Sequence, residues 1–335
     1  MRNLYGPFYD TLSEPANYPV VRQIIIVGAG LLLIFSGIFF STDRGDSDRY
    51  TASTADCDFA ELPPLDASTT PSTLEVGESD IEATAAYVYD VKSGETLYEQ
   101  NADEVLPLAS VTKLMTALIV AELVEAGEVI TVSAEAVAQY GNSGLRVGER
   151  ITADNLMVYA LLSSSNDAAY ALAASIGDEL FPGEGSEAFI DAMNVRAEEL
   201  GLENTIFQNP TGLDVSNVES GAQGTAADIN RLMAHLLTEH PDLLATTQTG
   251  ATRIYNEDGD FHEAANTNRI LQRIPSLLGS KTGFTDLAGG NLTIAYDAGL
   301  NRPIIITVLG SSFVGRFQDV ETLLTATQQA WPDPE

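Results

Sequence analysis

Apolar and polar positions divide the chain into three stretches of different character. Residues Ile24 to Phe40 read IIIVGAGLLLIFSGIFF without a charge, and counted from Val20 a helix of this stretch reaches about 31 Å, enough for a ~30 Å hydrocarbon core. The run is longer than the apolar region of a secretory signal, and no small-x-small cleavage pattern follows Phe40, so residues 20–40 are predicted to form an uncleaved transmembrane anchor. Gly28-Ala29-Gly30 within it lacks a preceding strand and a third glycine, so small residues of a membrane helix account for it better than a dinucleotide loop. Residues 41–80 are rich in Asp, Glu, Ser, Thr and Pro and poor in large apolar side chains, the composition of an acidic disordered linker. About forty such residues have a coil dimension of about 35 Å, which lets the following domain stand off a membrane surface.

Residues 81–332 carry the periodicities of a folded domain. ATAAYVYD and ETLYEQ read as short strands, and Lys92-Ser93-Gly94 between them supplies a tight turn. From Ser110 to Glu125, Val111, Leu114 and Leu118 recur at helical spacing. The pattern stays helical from Thr131 to Thr246, with NLMVYALLSSSNDAAYALAASI and SEAFIDAMNVRAEELG broken by Gly and Pro loops such as NPTGLD. Strands then return as ATRIYN with the turn Glu257-Asp258-Gly259, LLGSKTG, GNLTIAYDAG and PIIITVLG, and a last helix covers roughly Gly315 to Ala330. Strands at both ends with helices between them predict one α/β (α+β) domain whose sheet is completed by distant sequence.

The formal charge of −32, from 48 Asp+Glu against 16 Lys+Arg, argues against nucleic acid as a partner, since such a surface repels phosphate backbones. The single cysteine, Cys57, excludes an intramolecular disulfide and a Cys-rich zinc site; behind Asp56 and well past the apolar segment it reads as a free thiol. His235, His240 and His262 stand in no recognised ligand spacing, and Asp258-Gly259-Asp260 reads as a turn, so no metal and no cofactor are expected.

Candidate chemistry begins at Ser110-Val111-Thr112-Lys113, whose spacing of three places both polar side chains on one face of a helix. A serine hydroxyl needs a base, and a lysine serves as one only when burial or a nearby positive charge lowers its pKa from ~10.4 towards neutrality. Lys281 is a candidate source of that charge. Alone, the pattern is as well explained by a capping serine and a solvated lysine. It is followed, however, by Ser164-Ser165-Asn166 in the helical middle section and by Lys281-Thr282-Gly283 at the end of an apolar strand. Ser-x-x-Lys, Ser-x-Asn and Lys-Thr-Gly in that order match a set shared by class A β-lactamases and penicillin-binding proteins.

With LASVTKLMTAL, GNSGLRVGERIT, LLSSSNDAAYALA, ENTIFQNPTGLD, ANTNRIL and GSKTGFTDLAGG in register with these motifs, the stretch from about Ile81 to Trp331 resembles the serine-type D-alanyl-D-alanine carboxypeptidases, the low-molecular-weight penicillin-binding proteins. The resemblance implies a five-stranded antiparallel sheet flanked by helices, an all-helical subdomain, and a site in the groove between them. It also implies Ser110 as nucleophile, Lys113 as its base, and Ser164 with Asn166 as the opposite wall. Lys281 and Thr282 would bind the substrate carboxylate, with Gly283 allowing close approach of the strand edge to the substrate backbone and the N–H groups of Ser110 and Phe284 forming the oxyanion hole. The implied substrate is a peptidoglycan stem peptide ending in D-Ala-D-Ala, and the implied inhibitors are β-lactams. Two departures stand out: the C-terminal β-domain common in the family is absent from this sequence, and the middle motif is Ser-Ser-Asn where Ser-Gly-Asn is common.

A Ser-His-Asp hydrolase fits less well, because Gly141-Asn142-Ser143-Gly144 is not a Gly-x-Ser-x-Gly elbow and no histidine lies in a suggestive motif. A β-lactamase shares the motif set but needs a glutamate-held water for which no segment here is a match. D,D-endopeptidase action on cross-links needs only a groove tolerant of a second peptide, and a catalytically silent wall-binding module would be expected to lack one of the motif residues. Arginines flank the apolar segment on both sides (Arg2 and Arg22, Arg44 and Arg49) and hardly discriminate its orientation. A wall substrate places the catalytic domain outside the cell membrane and residues 1–19 in the cytoplasm.

Overall fold

The computed structural model describes residues 74–77, 80–141 and 143–330. The tail, the predicted anchor at 20–40 and most of the linker lie outside the described residues; among those described, no helix is long and apolar enough to cross a membrane. Leu74, which the composition assigns to the linker, is buried in the core, and its N–H donates to the Leu97 carbonyl. The packed structure therefore starts ahead of Ile81.

The sheet is made from the two ends of the domain. Strands β1 (Ala85–Asp90) and β2 (Glu95–Gln100) form the expected hairpin, closed by Gly94 at φ +76° and by the Asp90 carboxylate, which accepts from the N–H groups of Lys92 and Ser93. The long strands β10 (Leu277–Thr285), β11 (Gly289–Asp297) and β12 (Pro303–Ser311) join them in the order β10-β11-β12-β1-β2. Every pairing is antiparallel, and β1 meets β12 from Ala85↔Leu309 to Asp90↔Ile304. Near-continuous burial along β11 and β12 marks a sheet covered on both faces. On one face Val88, Leu292, Ile294, Ile304 and Ile306 pack with Phe317, Val320 and Leu323 of helix α8 (Gly315–Ala330). Helix α6 (Ala226–Glu239) contacts β12, β1 and β11, and its Asn230 amide donates to the Tyr87 carbonyl.

The helical part is inserted between β2 and β10. It comprises α1 (Lys113–Leu123), α2 (Ala134–Val137), α3 (Ala153–Leu162), α4 (Asn166–Leu180) and α5 (Ser186–Glu199). Helix starts are set by short polar side chains: Thr152, Ser165 and Thr225 each accept from the N–H three residues on, satisfying donors that have no partner within the helix. Short pairings complete the framework: β3 (Leu106–Pro107) and β6 (Ile206–Phe207) flank β7 (Ala222–Gly224), β4 (Val129–Thr131) pairs β5 (Arg150–Thr152), and β8 (Ala251–Tyr255) pairs β9 (Phe261–Ala265) after the short helix α7 (Pro241–Ala245).

Helix α1 differs from its sequence expectation in two ways. The spacing of Val111, Leu114 and Leu118 predicts one apolar face, yet every residue from Lys113 to Val120 is buried, because α1 lies centrally, in contact with α3, α4, α5 and α6. It also starts at Lys113 rather than Ser110; the preceding turn, Ala109–Thr112, is a tighter 3₁₀ helix.

Candidate active site

The 3₁₀ turn presents Ser110 at the head of α1, against β10 at the edge of the sheet. Ala109 ahead of it has φ +47°, in the left-handed region that a residue with a Cβ adopts at a cost, so packing holds the turn in a conformation its local sequence does not favour. Gly212 and Gly283 make that packing possible. A Cβ on Gly212 would fall 1.8 Å from the Ala109 carbonyl oxygen, and one on Gly283 would lie 2.9 Å from the Leu108 carbonyl oxygen and 3.2 Å from the Ser110 nitrogen. The close approach that Gly283 permits in this structure is that of β10 to the Ser110 turn.

Lys113 is completely buried and its Nζ has three oxygen neighbours: Ser110 Oγ at 2.8 Å, Asn166 Oδ1 at 2.7 Å and the Thr211 carbonyl at 2.7 Å. An amide oxygen and a peptide carbonyl can only accept, so two N–H bonds of Lys113 are committed to them. The remaining position on nitrogen faces Ser110. Charged, the lysine donates a third N–H to that hydroxyl; neutral, it turns a lone pair towards it. Burial first, and the charge of Lys281 second, hold the Lys113 pKa well below the usual lysine range, which favours the lone pair. The arrangement is able to move a proton between Ser110 Oγ and Lys113 Nζ.

Asn166 is the first residue of α4 and is held in one orientation, its Oδ1 accepting from Lys113 while its Nδ2 donates to the Tyr140 carbonyl at 2.7 Å. Two residues earlier Ser164 has φ +59°, a second non-glycine residue in the left-handed region. Its Oγ accepts from Lys281 Nζ at 2.8 Å, and Lys281 also donates to the Thr282 carbonyl. Lys281 is 1% exposed, and burial together with Arg316 lowers its pKa to about 7. Thr282 shares a 2.6 Å hydroxyl contact with Thr267. Phe284, one residue past Gly283, is half exposed and packs edge-on against Phe313 at a 5.0 Å centroid distance. Thus Ser110, Lys113 and Asn166 meet in one hydrogen-bonded group, Ser164 and Lys281 in a second, and β10 carries Thr282, Gly283 and Phe284 alongside.

Three contributors were not singled out from sequence. The Thr211 carbonyl holds Lys113 from the NPTGLD loop, where Asn209 Oδ1 accepts from the N–H groups of Thr211 and Gly212 and from the Thr211 hydroxyl. Arg316, from the first turn of α8, is 4% exposed and donates to the Gly283 carbonyl beneath β10. Asp214 accepts from the Thr285 hydroxyl and the Leu287 N–H, anchoring the turn that follows β10. The Asn-Pro-Thr-Gly-Leu-Asp run was the available signal for the first and the third; a lone arginine carries none.

A five-stranded antiparallel sheet with an inserted helical part, and a Ser/Lys pair at their junction, is the architecture of the penicillin-binding D,D-peptidases. Ampicillin-bound penicillin-binding protein D2 of Listeria monocytogenes matches with a TM-score of 0.62 at 34% identity, over 73% of this chain and 97% of that one. A Streptomyces K15 DD-transpeptidase mutant matches with a TM-score of 0.66 at 27% identity, over 73% of this chain and 97% of its own. The family model for peptidase S11, D-alanyl-D-alanine carboxypeptidase, matches residues 70–312, and the chain belongs to that family. Among curated relatives, a D-alanyl-D-alanine carboxypeptidase of Bacillus subtilis is 34% identical over 240 residues, which are 69% of this chain and 58% of that protein. A D-alanyl-D-alanine endopeptidase of Pseudomonas aeruginosa is 35% identical over 241 residues, 69% of this chain and 72% of its own length.

Proposed function

We propose that the protein is a serine D-alanyl-D-alanine carboxypeptidase that removes the terminal D-alanine of peptidoglycan stem peptides through an acyl-enzyme on Ser110. The observation that carries the reading is the environment of Lys113, a buried lysine with two acceptors fixed on its nitrogen and its third direction aimed at Ser110 Oγ.

Lys113 takes the hydroxyl proton as Ser110 Oγ adds to the carbonyl between the two D-alanines. The oxyanion is stabilised by the N–H groups of Ser110 and Phe284, donors worth about 10²–10³ each in turnover in sites of this kind. Collapse breaks the C–N bond, and Ser164 passes a proton to the departing amine and recovers the one held by Lys113, which leaves that lysine neutral for the second half-reaction and Lys281 charged. The terminal carboxylate lies against Lys281 and the Thr282 hydroxyl. Water, deprotonated by the same lysine–serine machinery, then cleaves the Ser110 ester. A β-lactam presents a strained amide and a carboxylate in similar relation and acylates the same serine. The apolar segment 20–40 supports attachment to the cell membrane as a single-pass anchor, with the catalytic domain on the wall side and no cofactor required.

Cleavage of D,D-cross-links is the second reading, favoured by the 35% identity to an endopeptidase. The test is intact mass after incubation with benzylpenicillin, for wild type and Ser110→Ala, together with D-alanine release from diacetyl-Lys-D-Ala-D-Ala. A penicilloyl adduct lost in the variant, plus D-alanine release, is expected. An adduct without release favours the endopeptidase, and no adduct on the wild type rejects the Ser110 mechanism.

A further inference from the structure

At the carboxyl ends of α1 and α6, on other elements than those bearing Ser164 and Lys281, Glu122, His235 and His240 converge. One ligand atom from each lies within 4.8 Å of the other two. Glu122 is the penultimate residue of α1, His235 lies in the last turns of α6, and His240 caps that helix ahead of Pro241. Neither helix has a basic residue in its last turn, so two sets of carbonyl ends go without the intrinsic cation that usually balances them. The cation present comes from α5. Arg196 Nη2 lies 2.7 Å from Glu122 Oε1 and 3.4 Å from His235 Nε2, and Nη1 lies 3.1 Å from Glu199.

The arginine contact fixes the histidine tautomer. A guanidinium has only donors, so His235 Nε2 accepts, carries no proton and points its lone pair into the cluster. Burial and the Arg196 charge keep this imidazole neutral to lower pH than usual. His240 Nε2 stands 3.9 Å from the same Glu122 oxygen. Two imidazoles and one carboxylate form a donor set suited to a borderline divalent ion, with a fourth position left for water. Ligand atoms around a tetrahedral zinc ion are about 3.3 Å apart, given metal–ligand bonds of about 2.0 Å, so side-chain adjustments of about an ångström close the set.

We propose that Glu122, His235 and His240 bind one divalent ion of the zinc type, which displaces the Arg196 guanidinium from Glu122 while Glu199 retains it. The ion would tie the end of the helix that begins at Lys113 to the helix lying on the central sheet. The site is independent of the catalytic reading, because none of its residues touches Ser110, Lys113 or Lys281.

Competition with Arg196 makes the test sharp. Zinc ion is titrated calorimetrically into the metal-stripped full chain at pH 7.5, with melting temperature read in parallel and benzylpenicillin acylation as the control. One site per chain is expected, weakened tenfold or more in His235→Gln, His240→Ala and Glu122→Gln, tightened in Arg196→Gln, unchanged in Cys57→Ser, and with acylation unaltered in all. Zinc should raise the melting temperature of the wild type but not of the histidine variants. No stoichiometric binding, binding that both histidine variants retain, or binding that Arg196→Gln weakens would overturn the proposal. Should a histidine variant fail to fold, the Glu122→Gln and Arg196→Gln pair still moves affinity in opposite directions.

Discussion

Lys281 Nζ lies 2.8 Å from Ser164 Oγ, so the edge of the sheet and the loop ahead of α4 are joined by a lysine–serine contact of the same kind as that between Lys113 and Ser110. The two pairs are not independent. The charge of Lys281 contributes to the lowered pKa of Lys113, and Arg316 in turn contributes to that of Lys281. A relay of buried cations thus runs from α8 through β10 to the head of α1.

Lys113→Arg is expected to be as damaging as Lys113→Met. Both place a side chain near Ser110 that cannot accept a proton, since a guanidinium stays charged at any working pH. Loss of a general base lowers rate by about 10²–10⁴, to be read as the second-order rate of benzylpenicillin acylation by mass spectrometry. Retention of more than a tenth of the wild-type rate in Lys113→Arg would show that charge rather than proton acceptance is what matters.

Lys281 gives the pH profile its alkaline side. Below a pKa of about 7 it is cationic, which in the proposed mechanism attracts the substrate carboxylate; above it, the free protein loses that charge. kcat/KM for a carboxylate-ended peptide should fall above pH 7, and Lys281→Arg should flatten that fall. The stability effect has a definite sign. An unfolded lysine titrates near ~10.4, so between about 7 and 10.4 the unfolded chain binds a proton the folded one does not, and stability rises with pH across that window. Lys281→Met should therefore melt above wild type most clearly below pH 7, with the gain shrinking towards pH 10. A gain that stays constant with pH contradicts the assignment.

Asn166→Asp puts a carboxylate beside Lys113 Nζ, where an amide oxygen now accepts at 2.7 Å. An adjacent anion favours the charged lysine, so its pKa rises. The acidic limb of the acylation profile should move to higher pH, whereas Asn166→Ala should lower the rate without that displacement. An unmoved limb in the aspartate variant would mean that Lys113 is not the titrating base.

Gly283→Ala introduces a Cβ 2.9 Å from the Leu108 carbonyl oxygen and 3.2 Å from the Ser110 nitrogen. Overpacking of this kind costs about 1–3 kcal/mol, and here the groups that must yield belong to the Ser110 turn. Acylation should drop at least tenfold while urea denaturation shows a stability loss within that range. Unchanged acylation would place the strain elsewhere.

Much of this architecture was legible because the chain writes it in side chains. Alternation in β1 and β2, apolar runs in β10 to β12 and the order of the three motifs lead to the same sheet edge and the same pairing of Lys113 with Ser110 that the structure contains. What was hidden is mostly backbone. The Thr211 carbonyl that completes the Lys113 environment belongs to a residue whose side chain does something else, and the left-handed conformations of Ala109 and Ser164 are imposed by tertiary packing on residues with no such preference. Nothing in the local sequence marks Arg316 for burial; the docking of α8 on the sheet buries it. Glu122, His235 and His240 escape any motif because Glu122 comes from a helix more than a hundred residues away from the histidines.

The pairing of β1 with β12 also sets a schedule. Ala85 must find Leu309, so the middle of the sheet cannot close until almost the whole domain has been made, and contacts of such sequence separation form slowly. A chain made amino end first carries β1 and β2 without β12 beside them until its last strands arrive. The candidate site shares that dependence, since Lys281 reaches Ser164 only when β10 docks, and a chain cut short before Leu277 would hold Ser110, Lys113 and Asn166 without the second lysine–serine pair.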